Sequence, residues 1–156
     1  MDNVLAFCKW LEQTPVGASV RQSLWLFPAI ETVHLLGMAA LLATIGAFSL
    51  RLMGVVQGEE SISAVGRRLL PWTWAAFAIQ VITGAMLFSS EATHMIRNPA
   101  FQIKMLLIAL AGVQALVFHR TALRSRAAGI ATQVVGVISL ALWIGVVAAG
   151  RWIGFI

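Results

Sequence analysis

Pro28-Ala29-Ile30-Glu31-Thr32-Val33-His34-Leu35-Leu36-Gly37-Met38 decides how this chain folds. A carboxylate and an imidazole stand three residues apart in it, and sixteen residues without a formal charge follow, Leu35 to Leu50. Arg51 is the first charge after them. An apolar run of this length reads as a membrane helix. Glu31 and His34 then share one helix face and lie at lipid depth. Ionisable groups there are costly and mark a function or a paired structural site.

The rest of the chain agrees with a membrane reading. Of its 156 residues, 60% are hydrophobic and 11% charged, with a mean hydropathy of +0.88. Soluble domains run at about 45–50% apolar and about 25% charged. The fold expected is all-α: an integral membrane four-helix bundle in one domain, residues 1–156, with a short N-terminal amphipathic helix at the interface. That helix covers 3–13, with Val4, Phe7, Cys8 and Leu11 at helical spacing and Pro15 ending it. The membrane helices are expected at about 23–53, 71–90, 99–122 and 130–151. Pro71 is taken to open the second, with Trp72 and Trp74 as an aromatic belt. Asn98-Pro99 starts the third.

Composition also excludes. A net charge of +5 sits in arginine-bearing loops, where it sets topology, and nucleic acid is not a partner. One cysteine, Cys8, allows no internal disulfide and no cysteine-based metal site. No phosphate loop or zinc-protease histidine motif is present. No cleavable signal peptide is evident at the start of the chain. Arg51, Arg67, Arg68, Arg120, Arg124 and Arg126 gather on one side. The positive-inside rule makes that side cytoplasmic, with both termini and the His94 loop outside a bacterial inner membrane.

Depth arithmetic then sorts the polar residues. At ~1.5 Å per residue from each helix midpoint, Glu31 and Lys104 both lie about 9–10 Å to the outer side, and His34 about 5 Å. Glu31 and Lys104 are therefore expected to form an ion pair between the first and third membrane helices. His34 is left with two readings. It hydrogen-bonds to a neighbour such as Thr83 or Gln80, or it is a ligand, since neutral imidazole is a common metal donor. His119 falls about 12 Å to the inner side, too deep to share one iron with His34. His94 and Met95, in the outer loop, form a pair suited to copper, and Met86 and Met105 lie on outer halves of their helices.

The pattern Trp25-x-Phe27-Pro28-x-x-Glu31-x-x-His34-x-x-Gly37, Arg51-Leu-Met-Gly54, Pro71-Trp72, Thr83-Gly84 and Asn98-Pro99-x-Phe101-x-x-Lys104 resembles a family of small bacterial four-helix membrane proteins of unknown function. It is more distantly similar to the HemJ-type protoporphyrinogen oxidases and to the copper-resistance D membrane domain. The resemblance to the HemJ-type oxidases implies a haem-ligating histidine, an arginine and a lysine at His34, Arg51 and Lys104. The surroundings of His34 and the spacing after Lys104 differ, and the oxidase activity does not carry over.

Three functions are thus expected to compete. One is a redox-type subunit binding b-type haem through His34, with Lys104 and Glu31 beside the cofactor. Another is copper handling by His34, His94, Met95, Met86 and Met105. The last is a structural or accessory subunit without a ligand. The bilayer is the common partner. A periplasmic or membrane redox or metal protein is the further partner expected, and a homo-oligomer is compatible with the sequence.

Overall fold

A computed structural model describes residues 2–56, 59–122 and 129–155. Helices α1 (Asp2–Glu12), α2 (Pro15–Gln22), α3 (Leu26–Leu52), α4 (Ile62–Ser90), α5 (Ala92–Met95), α6 (Pro99–Ala122) and α7 (Ile130–Trp152) follow one another, and a 3-10 turn closes at Ile153–Phe155. Within α3, α4, α6 and α7 lie four stretches long and apolar enough to cross a membrane. Their outer surfaces carry Leu35, Leu36, Ile82, Leu106, Leu116 and Val137 exposed. A chain that turns so much aliphatic surface outward while burying so little is built for lipid. It is an all-helical, multi-pass membrane protein.

Two boundaries differ from expectation. Pro71 does not open its helix. It sits inside α4, which starts at Ile62, where the Ser61 side chain accepts from the Ala64 N–H at 3.3 Å. Proline deletes one hydrogen bond, and α4 runs through it unbroken from its cap at Ser61. The segment 62–70, taken for loop, is therefore the first two turns of the helix.

The N-terminal segment holds two helices where one was expected. Pro15 ends α1 and also opens α2, with Thr14 as the cap accepting from Gly17 N–H at 3.3 Å. Neither helix merely rests on the bilayer. α1 packs against α5 and α2 against α4. Cys8 and Val20 are buried, and Gly17 is pressed so close that a Cβ would stand 2.5 Å from the Ser89 carbonyl oxygen. Val4, Phe7 and Trp10 of α1 remain exposed.

The spans pack in the spatial order α4, α3, α7, α6. Small residues set the closest approaches. A Cβ on Gly136 of α7 would stand 2.8 Å from the Ser49 carbonyl oxygen of α3. Gln114 of α6 donates to the Val135 carbonyl of α7 at 2.7 Å. At the end where both termini lie, Phe88 of α4 stacks on Phe101 of α6, with ring centroids 5.3 Å apart. Asn98 caps α6 as expected, accepting from Ala100 N–H at 2.9 Å, and its amide reaches the Ile153 carbonyl at 3.3 Å.

Candidate functional site

His34 lies on the face of α3 that meets α4. Its Nδ1 is 2.7 Å from the Thr83 hydroxyl oxygen. Thr83, one turn above Ile79, also donates that hydroxyl back to the Ile79 carbonyl at 2.6 Å. A hydroxyl has one proton. With that proton spent on Ile79, Thr83 can only accept from His34, so Nδ1 carries the imidazole hydrogen. Nε2 is then the nitrogen with the free lone pair.

The neighbours of this bond are small for a reason. A Cβ at Gly84 would stand 3.3 Å from His34 Cε1, so the glycine makes room for the ring edge. A Cβ at Gly37 would stand 2.8 Å from Gln80 Nε2 and 2.9 Å from Ile79 Cγ2. That space is needed because the Gln80 amide donates to the backbone carbonyl of His34. One imidazole, one hydroxyl, one amide and two glycines thus lock α3 to α4 at one level. Both neighbours considered for His34 from sequence are engaged, one at its ring and one at its carbonyl.

Lys104 comes to this level from the other side of the bundle. Its stem lies across Gly150 of α7, whose Cβ would stand 3.4 Å from Nζ and 3.6 Å from Cε. Lys104 has no hydrogen bond and no ion pair among the described residues. The pair expected between Glu31 and Lys104 is not formed. α3 packs against α4 and α7, and α6 lies beyond α7, so the lysine is laid over α7 rather than extended to Glu31. Glu31 is exposed. Ser49, five turns along the same face of α3, is buried beneath α7. The face is therefore covered at one end of the span and open at the end that carries Glu31.

Of the remaining candidates, Met86 follows Thr83 by three residues on α4, Met105 follows Lys104 on α6, and His94 and Met95 stand on α5. His94 is exposed in α5, in the wall of an open depression of about 550 Å³ lined also by Glu12, Arg21, Ser90, Glu91, Thr93 and Arg97. Met95 and Met86 are half-buried and Met105 is exposed. Among the described residues, no three histidine, cysteine, aspartate or glutamate side chains are grouped to hold a metal ion. His119 is in α6, and its side chain lies outside the described residues, as do Arg124 and Arg126. Gly84 and Gly150 were not singled out from sequence as neighbours of His34 and Lys104. Only the Thr83-Gly84 pair in the resembling pattern hinted at the first.

A family model of unknown function matches residues 7–156, which take in every span and the whole His34 site. The chain belongs to the DUF6644 family. No curated protein and no solved structure matches it. Membership therefore extends to a family without an assigned activity, and the resemblance to HemJ-type oxidases and to the copper-resistance D domain is not carried by these comparisons.

Proposed function

We propose that this DUF6644 protein is a membrane-embedded subunit of redox type that holds b-type haem on His34. What supports the reading is the orientation of one proton. With Nδ1–H given to Thr83, Nε2 keeps a lone pair, and a second group holding the other ring nitrogen is the usual arrangement of a metal-bound histidine. Nε2 of His34 is the donor that would hold the haem iron. Lys104, an ammonium without a partner at the same level, would answer the carboxylates that haem carries. The haem itself would supply one-electron chemistry. The chain's contribution is to fix the tautomer, orient the ring against Gly84 and keep the site within apolar surroundings. By the arginine count, the site lies nearer the outer face of a bacterial inner membrane, where a redox partner would reach it.

A purely structural joint is the competing reading, since the Thr83 and Gln80 bonds also pack two helices. Copper handling has less in its favour, because its capture pair, His94 and Met95, stands on α5 while the His34 ring is held between α3 and α4. An absorbance spectrum with metal analysis of the purified protein separates the three. The expected result is a Soret band, lost in His34→Ala and kept in Gln80→Leu, which breaks the packing bond but spares the imidazole. Colourless protein made with ample haem would sink the proposal, and bound copper in its place would favour the alternative.

A further inference from the structure

The depression at the terminal end of the bundle carries charges that its own fold does not use. Glu12 is accounted for: its carboxylate accepts from the Thr93 N–H at 2.7 Å and lies 4.0 Å from Arg21. Arg97, Glu91 and His94 line the same depression, are exposed, and have no hydrogen bond or ion pair from their side chains among the described residues. The Thr93 hydroxyl, in the same wall, is buried without a hydrogen-bond partner. The place is set by the helices. Ser90 ends α4 and Pro99 begins α6, so these side chains stand just beyond two spans, at headgroup level.

Both signs of charge lie in one open hollow, and that excludes simpler ligands. A plain anion would meet Glu91. A plain cation would meet two guanidinium groups. We infer that the depression receives a headgroup that joins a phosphate to a primary ammonium, as phosphoethanolamine does. Arg97 and the free side of Arg21 would take the phosphate oxygens, for which the guanidinium fork is suited. Glu91, with a ring nitrogen of His94, would accept the ammonium hydrogens. A choline headgroup has no N–H to give them, and a glycerol headgroup leaves Glu91 unanswered.

Native mass spectrometry of the full, delipidated chain tests this. It would be offered phosphatidylethanolamine, phosphatidylcholine and phosphatidylglycerol separately in matched micelles. The ethanolamine lipid is expected to be retained over the other two by about tenfold, the scale of one charge-assisted hydrogen bond. Glu91→Gln should erase the preference, and Arg97→Gln should weaken retention of all three. Both positions are exposed, so neither change threatens the fold. Free phosphoethanolamine should displace the lipid. If it binds while no lipid is preferred, the site stands and its source is a soluble compound. Equal retention of the three lipids without binding of free phosphoethanolamine overturns the inference, as does a preference that survives Glu91→Gln.

Discussion

The Thr83 hydroxyl oxygen stands 2.7 Å from His34 Nδ1 and 2.6 Å from the Ile79 carbonyl oxygen, with one proton to serve both contacts. That relationship fixes which imidazole nitrogen is free. Nitrogen NMR of protein labelled at histidine reads it directly. His34 is expected as the single Nδ1–H tautomer in the ligand-free chain. In Thr83→Val the acceptor is gone and a mixture should appear, with a loss of about 0.6–1.7 kcal/mol in stability, the range of hydrogen bonds between membrane helices. A lone Nε2–H tautomer in the parent would remove the ground for a ligand at Nε2.

The close approaches give a ranking of glycine substitutions, measured by unfolding in detergent. Gly136→Ala places a Cβ 2.8 Å from backbone at Ser49, which cannot yield as a side-chain end can. A cost of about 1–3 kcal/mol is expected there. Gly37→Ala meets the Gln80 amide and the branched Ile79 side chain and should cost nearly as much. Gly84→Ala, 3.3 Å from His34 Cε1, asks only for a small ring shift and should disturb the site more than the stability. Gly46 and Gly112 have nothing within 4 Å, so alanine there should stabilise by up to about 1 kcal/mol through helix propensity. Equal effects at all five positions would mean that the helices do not pack as described.

Much of this architecture was legible in the chain. Long apolar runs and short arginine-bearing loops specify spans almost without help from packing, because lipid imposes the same demand on every helix. Asn98-Pro99 marked the start of α6, which the cap at Ala100 N–H bears out. Pro71 misled because proline reads as a helix start, whereas the serine ten residues earlier supplies the cap. The second N-terminal helix was hidden because Pro15 was read only as an end. The placement of Lys104 could not be read from depth. Equal depth says nothing about which helices are neighbours, and the order α4, α3, α7, α6 puts α7 between the two residues. For the same reason Thr83 and Gln80 could be named as partners of His34, but not told apart in what they hold.

Since Glu31 and Lys104 are unpaired, their coupling should vanish. A double-mutant cycle with Glu31→Gln and Lys104→Met is expected to give an interaction energy within about 0.5 kcal/mol of zero, as for independent sites. Lys104→Met alone should raise the stability of the ligand-free chain, because a charge within a span is costly. The same change should weaken haem retention if the ammonium answers its carboxylates. A coupling of several kcal/mol would restore the ion pair.

Glu12 makes the sharpest claim about the N-terminal helices, because one carboxylate ties α1 to α5 and α2. It accepts from the Thr93 N–H at 2.7 Å while Arg21 stands 4.0 Å away. The carboxylate is largely shielded and Arg21 is not, with side-chain exposures of 16% and 47%. Glu12→Ala leaves the Thr93 amide without its acceptor, at a cost of about 1–3 kcal/mol. Arg21→Gln removes only a long, solvent-screened pair and should cost less than about 1 kcal/mol. Hydrogen exchange in detergent distinguishes the two, since amides of α1 and α2 should lose protection in Glu12→Ala while those of α3 and α4 keep theirs. Uniform loss across the spans would mean that α1 and α2 are part of the core and not a cap fastened to its end.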